Sequence, residues 1–465
     1  MSPRRPVVDA RGHLVRWALL AAVAAVTALA FPETGQQPLR ALPFDLLLLS
    51  PVWLLLAFYR RETYADLRQV TALALILAVT IGSAALLHHL LPARPEVMPV
   101  PLAAMLVTML WNGRLAVSVA ASLALVIGTQ WTFPDDQTLV FGLLGGTAGA
   151  LGIRVLRRRR SVYLALTLTA LGYALGAAAF GLLRGWPFGT ILESVAYGAL
   201  VAVGSAATAL LVLPLLEQWI QVTTDLTLLE LADPSRPLLR RLATEAPGTW
   251  AHSLAMAHLC ESACEAIGAN PLLARVGCYY HDIGKLEHPA FFVENQGRAG
   301  NPHDQLSPLE SARLITGHVG AGDALARGAG LPLVVRDFIR EHHGTTRVEY
   351  FLDRARKAGL EPDPADYTYP GPRPRRAETA IAMLADSAEA AVRVLDEPTP
   401  ENVRAAIDTL VARKIATGQL DDTPLTLRDL ERVKGEFARI LGAARHQRVE
   451  YPASAGGIAA GGPAT

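Results

Sequence analysis

Eight of the twelve histidines in this 465-residue chain fall between His252 and His343. Within that stretch His281-Asp282-Ile283-Gly284-Lys285 sets an imidazole beside a carboxylate just ahead of a glycine, and His342-His343-Gly344 repeats the pattern with two imidazoles. Adjacent residues of a helix point about 100° apart, so such pairs share one site only at a helix end, which the following glycine supplies. His252 lies upstream, His318 lies between the two motifs, and Asp386 follows in Met383-Leu384-Ala385-Asp386-Ser387. Taken singly, each histidine reads as a hydrogen-bonded core or surface residue. Together, the five histidines and two aspartates have the composition needed to hold a pair of divalent ions, imidazoles and carboxylates drawn from several helices. Two such ions about 3.5–4 Å apart act as Lewis acids and lower the pKa of water enough to supply hydroxide at neutral pH.

The elements that must carry these residues read as helices. Apolar residues recur at three- and four-residue spacing in Ser253–Ile267, Leu272–Tyr280, Ser311–Ile315, Leu333–Glu341, Thr379–Val394 and Glu401–Ala416, and no run alternates as a strand would. Tyr350 to Arg376 reads as a loop or lid, because five prolines from Pro362 to Pro374 forbid a continuous helix; its basic end, Arg373, Arg375 and Arg376, is a candidate for phosphate or a solvated linker. Cys260, Cys264 and Cys278 lack paired metal-ligand spacing and read as small core residues in a reducing compartment. A formal net charge of +1 gives no reason to expect bulk nucleic acid as a partner.

The first half of the chain is of another kind. The sequence is 51% hydrophobic, and most of that content lies here. It forms eight runs: Leu14–Phe31, Pro43–Phe58, Val70–Leu91, Pro99–Trp111, Leu115–Gln130, Thr138–Leu156, Val162–Leu183 and Phe188–Leu216. Pro99–Trp111 is short enough to be re-entrant. Basic residues flank alternate ends (Arg4, Arg5, Arg11 and Arg16; Arg60, Arg61 and Arg68; Arg114; Arg154 and Arg157 to Arg160), which places the N-terminus and the polar half in the cytoplasm. Cleavage after Ala28-Leu29-Ala30 as a signal peptide would leave seven spans and the same orientation. Asp45, His88, His89 and Glu193 fall near the outer ends of their spans, where they either converge on a small ligand or reach interfacial water. The domain plan is therefore a membrane region over 1–216, a linker or signalling helix over 217–247, a helical metal-dependent domain over 248–450 and a disordered tail over 451–465, rich in Gly, Ala, Ser and Pro.

At Ala246-Pro247-Gly248-Thr249-Trp250-Ala251-His252-Ser253, His281-Asp282-Ile283-Gly284-Lys285, Glu294-Asn295-Gln296, Asn301-Pro302-His303-Asp304, His342-His343-Gly344-Thr345 and Tyr369-Pro370-Gly371-Pro372 the sequence resembles the membrane-embedded HD-domain phosphodiesterases of the PgpH type, which degrade cyclic di-AMP in bacteria. The resemblance is detailed from about Thr223 to Arg448 and looser over the membrane region. It implies an all-α chain, with a polytopic helical domain in the bacterial plasma membrane followed by a cytoplasmic HD-superfamily phosphohydrolase domain. It implies that His252, His281, Asp282 and Asp386 hold one ion and Asp282, His318, His342 and His343 the other, with Asp282 bridging and the ions being iron or manganese. The implied substrate is cyclic di-AMP, opened to linear pApA. Lys285 is then the candidate to assist at phosphate, and Asn301 and His303 are candidates for substrate or supporting contacts.

Two departures stand out. Members of that family carry a large extracytoplasmic domain after the first span where this chain has Pro32 to Leu42, and Trp250-Ala251 replaces an aromatic and a polar residue. The Gly-Tyr-Pro motif of HD-GYP enzymes, which cut cyclic di-GMP, is lacking. An HD phosphohydrolase acting on cyclic di-GMP or another nucleotide, and a non-catalytic membrane receptor that binds a nucleotide at its metal centre, remain as alternatives. A homodimer is compatible with such a helical membrane protein, though no motif demands one.

Overall fold

The computed structural model describes residues 8–31, 41–91, 94–130, 136–153, 159–296 and 300–446. The tail read over 451–465, most of the short loop after the first span, and the flanking residues Arg4, Arg5, Arg154, Arg157 and Arg158 lie outside them. Every named element among the described residues is helical, and extended pairing is limited to an isolated bridge between Arg347 and Thr368. The described residues up to Glu230 form one compact unit and the described residues from Leu231 another.

The first unit contains α1 (Ala10–Ala30), α2 (Leu42–Tyr59), the short α3 (Arg61–Ala65), α4 (Leu67–Leu90), α5 (Val100–Leu110), α6 (Gly113–Gly128), α7 (Gln137–Gly152), α8 (Arg159–Arg184) and α9 (Phe188–Ile220). Each of the eight apolar runs thus folds around one helix. Helices α1, α2, α4, α8 from Val162, and α9 are long and apolar enough to cross a membrane. Helix α5 has 11 residues. At a rise of about 1.5 Å per residue, that length spans about half of a hydrocarbon core. Most of its side chains are buried by other parts of the unit, which suits a segment packed against protein. Large apolar side chains such as Leu14, Leu29, Phe44, Leu47, Leu182, Leu183, Phe188 and Leu211 face outward, as lipid solvation requires and water would oppose. The protein is a multi-pass membrane protein.

Several polar groups inside this unit have defined partners. Buried Arg16 donates to the carbonyls of Tyr64 and Ala65, where α3 ends without helical partners of its own. The carbonyl of Arg16 accepts from Trp53 Nε1 at 2.8 Å. Asp45 is fully buried and accepts from Gln130 Nε2 at 3.2 Å. Glu193 pairs with Arg94 at 2.9 Å and stays largely exposed, which favours the interfacial-water reading for that residue.

After α10 (Asp225–Leu231) come α11 (Pro237–Glu245), α12 (Pro247–Ile267), α13 (Pro271–Tyr280), α14 (Pro308–Gly328), α15 (Leu333–Glu341), α16 (Glu349–Lys357), α17 (Ala377–Arg393), α18 (Pro400–Ala416) and α19 (Leu427–His446). Local chemistry sets their ends. Asn270 caps α13 by accepting from Leu272 N and Leu273 N, with Pro271 in the first turn. Ser307 and Glu310 form a reciprocal capping box at α14. Gly268, at φ 75°, closes α12. That is the left-handed conformation that favours glycine at a helix end. Helix α16 corrects the reading of Tyr350 to Arg376 as loop throughout: the prolines begin at Pro362, so nothing bars a helix over Glu349–Lys357, which buries Phe351, Leu352 and Ala355. Cys260, Cys264 and Cys278 are buried free thiols, and burial raises the pKa values of Cys260 and Cys264.

Candidate metal centre

Two glycines set the distances at which the ligand-bearing helices meet. Gly277 on α13 lies against the ring of Phe338 on α15, where a Cβ would collide. One turn further along each helix stand His281 and His342. Their ring centroids are 5.0 Å apart. Gly284 lies against the backbone of α14 at His318 and Gly322, again leaving no room for a Cβ. Because the backbones touch there, Asp282 Oδ1 comes within 3.4 Å of His318 Nε2 and 3.5 Å of His342 Nε2.

The other oxygen of Asp282 faces a second set of ligands, at 3.2 Å from His281 Nε2 and 3.8 Å from His252 Nε2. His252 Nε2 also lies 3.2 Å from Asp386 Oδ1, while Asp386 Oδ2 is 3.7 Å from His343 Nδ1. All seven residues singled out in the sequence are therefore gathered in one place. Three ligand groups are compact enough for an ion: His318 with His342 and His343, His252 with His281 and Asp386, and His281 with Asp282 and His342.

The donor set fits divalent ions on its own evidence. His281 Nδ1 lies 2.8 Å from Cys278 O, His318 Nδ1 2.6 Å from Ile315 O, and His342 Nδ1 2.9 Å from Phe338 O. A carbonyl only accepts, so each Nδ1 carries the proton and each Nε2 turns a lone pair inward, the tautomer of a metal-bound imidazole. His281 Nε2 and Asp282 Oδ1 are buried without a hydrogen-bond partner. Such orphaned acceptors are costly in a protein interior and are what a cation would satisfy.

The surroundings tune the set. Burial opposes ionisation of Asp282, yet the electrostatic pull of the neighbouring His281 and of the Lys285 ammonium holds its carboxyl well below the usual range. Burial likewise opposes the charged form of Asp386, and His252 and His343 overcome it, so that carboxyl too is strongly lowered. Burial pushes His318 down to about 4, Asp282 pulling the other way and His342 adding to the fall, and it also drives His343 down. His252 goes the opposite way, to about 10, since hydrogen bonds with Asp386 and Glu389 outweigh its burial.

Lys285, the residue expected to assist at phosphate, is paired with two acids. Its Nζ sits 2.8 Å from Asp282 Oδ2 and 2.7 Å from Glu294 Oε1, so it serves as counter-ion to two acids and holds Asp282 in position. Asn301 and His303 serve their own loop. Asn301 Oδ1 accepts from His303 N at 3.1 Å and from Gln296 Nε2 at 3.3 Å, while His303 Nε2 lies 2.9 Å from Phe291 O and its ring packs on Phe351. Arg373, at the basic end of the proline-rich stretch, donates to Gly418 O at 2.7 Å and to Asp421 at 3.2 Å.

Three contributors stand outside the ligand set read from the sequence. Glu389 lies 3.5 Å from His252 Nδ1, one turn beyond Asp386 on α17 and bonded to Arg393. Tyr369 stacks on His343 with ring centroids 4.1 Å apart. Gln419 Oε1 accepts from Thr345 N at 3.0 Å, bracing the chain just past the histidine pair. Glu389 alone had a discoverable pattern, an acid at i+3 from a candidate ligand on one helix face.

A family model described as 7TM receptor with intracellular HD hydrolase matches residues 41–224, which hold seven of the apolar helices, and the HD domain model matches residues 249–391. The cyclic-di-AMP phosphodiesterase PgpH of Bacillus subtilis (strain 168) is 34% identical over 367 residues, 76% of this chain and 51% of that protein. Its namesake from Listeria monocytogenes serotype 1/2a (strain 10403S) is 30% identical over 424 residues, 88% of this chain and 58% of that protein. The chain spans about half the length of the curated relatives it matches. The crystal structure of the L. monocytogenes PgpH HD domain is 38% identical, with a TM-score of 0.44 over 46% of this chain and 100% of that one; the same domain has been solved in complex with cyclic-di-AMP. The chain belongs to the PgpH-type family of multi-span membrane proteins that carry an HD domain.

Proposed function

We propose that this protein is a membrane-bound phosphodiesterase that hydrolyses cyclic di-AMP to linear pApA on the cytoplasmic face of the bacterial plasma membrane. The observation that carries the reading is Asp282, one oxygen of which faces His318 and His342 while the other faces His281 and His252. That is the disposition of a carboxylate shared by two cations. The reading assigns His252, His281, Asp282 and Asp386 to one ion and Asp282, His318, His342 and His343 to the other, over a hydrolase domain of residues 248–450 behind a membrane region of residues 1–216. Two divalent ions, iron or manganese, would supply Lewis acidity toward the phosphate oxygens and lower the pKa of water. The relatives' activity as cyclic-di-AMP phosphodiesterases supports the choice of substrate.

The chain's own part is positional and electrostatic. Carbonyls in the helices fix the tautomers of His281, His318 and His342. Lys285 keeps Asp282 ionised and aimed, Glu294 anchors Lys285, and Glu389 orients His252. In-line attack by water forms one P–O bond and breaks the P–O3′ bond, and the proton released by the water ends on the 3′ oxygen. Basic residues at alternate loops support the orientation, since Lys and Arg resist translocation.

Full-length protein in detergent, loaded with Mn²⁺ or Fe²⁺, is incubated with cyclic di-AMP and with cyclic di-GMP, and products are followed by chromatography. Preferential conversion of cyclic di-AMP to pApA is expected, with loss of turnover in a folded Asp282→Ala variant. Preference for cyclic di-GMP, or binding without cleavage by metal-loaded protein, overturns the reading.

A further inference from the structure

A cyclic dinucleotide carries two phosphodiesters. Only one can be cut at a time, and the other enters the same buried surroundings with its negative charge intact. It needs a cation that is not already neutralised. Lys285 lies between Asp282 and Glu294, Arg393 is paired with Glu389, and Arg373 is held by Gly418 and Asp421. None of these three is available without breaking an ion pair or hydrogen bond.

Lys414 differs from them. It ends the buried stripe of α18, following Val403, Ile407 and Val411, and is 9% exposed. Its ammonium makes no ion pair and no hydrogen bond among the described residues. Two hydrogen bonds tie the end of α18 to the chain beside the centre, and the charge of Asp386 favours the ammonium. The Lys414 carbonyl accepts from Gln419 N at 3.0 Å, turning the chain back on itself. Gln419 in turn accepts from Thr345 N at 3.0 Å, two residues beyond His343. An unpaired cation held largely out of water is unfavourable, and such an arrangement is tolerable where a ligand brings the missing anion.

We propose that Lys414 receives the phosphodiester that is not being cut, so that α18 recognises the substrate as a molecule with two phosphates. The proposal rests on the cyclic-dinucleotide reading of the site and adds to it a specificity residue outside the set of metal ligands.

The test uses full-length, Mn²⁺-loaded protein in detergent and the variants Lys414→Met and Lys414→Arg, with bound metal and melting temperature recorded for each. Two substrates are compared: cyclic di-AMP, with two phosphates, and bis(p-nitrophenyl) phosphate, with one. In Lys414→Met the ratio of kcat/KM for cyclic di-AMP to that for the single-phosphate diester is expected to fall about tenfold or more, as loss of a hydrogen bond to a charged group implies. The fall is expected mainly in KM, with partial recovery in Lys414→Arg. Equilibrium binding of a hydrolysis-resistant phosphorothioate analogue of cyclic di-AMP is expected to weaken in parallel. An unchanged ratio, or unchanged analogue binding, overturns the proposal. Equal loss on both substrates together with lost metal also overturns it, by showing that Lys414 supports the centre's structure. Failure of the unmodified protein to cut any cyclic dinucleotide while it cuts bis(p-nitrophenyl) phosphate overturns the underlying reading instead, and is seen before any variant is compared.

Discussion

His318 Nε2 and His342 Nε2 face each other across 3.3 Å, both buried, with their Nδ1 atoms tied to backbone carbonyls. Two inward lone pairs at that separation repel, and a proton placed between them must be charged in a dry site. Burial, with the neighbouring imidazole adding to it, accordingly pushes His318 down to about 4, and His343 is lowered in the same way. A histidine depressed in the folded chain contributes stability that is present above its unfolded value, near 6.5, and is lost as pH falls toward the folded value. His252 is raised to about 10, so its contribution is constant below pH 6.5 and does not alter the slope there. Chelator-treated protein is therefore expected to lose roughly 2 kcal/mol through His318 alone between pH 7 and pH 5. Mn²⁺ is expected to raise the melting temperature at pH 7 and to be released over the same acidic window, since ligation needs neutral imidazoles. Thermal melts with and without EDTA check both; a melting temperature flat from pH 7 to pH 5 counts against this account of the pair.

Glu389→Gln removes the charge behind His252 while keeping side-chain size. His252 Nδ1 lies 3.5 Å from Glu389, and its Nε2 faces Asp386 at 3.2 Å, so the acid fixes which nitrogen carries the proton. Loss of such a supporting carboxylate typically weakens metal affinity by about 10–100-fold. Competition against a calibrated chelator measures this directly. The fold is expected to survive, because Glu389 is partly exposed and its ion pair with Arg393 lies toward the surface.

Gly284→Ala tests the packing that sets Asp282 against His318. The added methyl meets the His318 carbonyl and Gly322 N of α14, atoms of a helix backbone that cannot turn aside. Overpacking of this kind costs about 1–3 kcal/mol, and here it also separates two ligand-bearing segments. A lower melting temperature together with reduced bound metal is expected. Unchanged values for both would mean that the close approach of the Gly284 turn to α14 is not what holds the centre together.

These cases show what the chain makes legible before folding. Metal chemistry restricts ligands to a few residue types and needs helix ends for adjacent pairs, so His281-Asp282 and His342-His343 announce themselves, each near a glycine. The apolar runs of the membrane half are as plain, because length and composition decide them locally, down to the shortness of α5. Legibility fails where a role depends on which distant segments meet. Lys285 follows the aspartate in every reading of the motif, but only folding brings Glu294 to its other side. His303 reads as a candidate for substrate or supporting contacts, and only folding closes Phe291 and Phe351 around it. Helix α16 was obscured by the prolines beyond it, and Tyr369 by sitting within them.

Lys414→Met yields a prediction of stability separate from binding. Burial lowers the Lys414 ammonium to about 8, against the pull of Asp386, and Arg413 adds to the fall. A lysine depressed in this way is protonated in both states at pH 7, where the unfolded chain gains more from the charge than the folded one does. The penalty is therefore full at neutral pH and shrinks as pH rises from about 8 toward the unfolded value, about 10.4, where the folded ammonium has already given up its proton. Methionine, of similar length and without charge, removes that penalty and is expected to stabilise the protein at pH 7 by up to roughly 3 kcal/mol. The gain is expected to fade above pH 8, which chemical denaturation at pH 7 and pH 9.5 resolves. A residue whose removal stabilises the fold and weakens substrate binding is kept for its ligand, as strained and charged positions at functional sites generally are. If the methionine variant is destabilised at both pH values, Lys414 has a favourable partner in the folded protein and the cation at the end of α18 is structural.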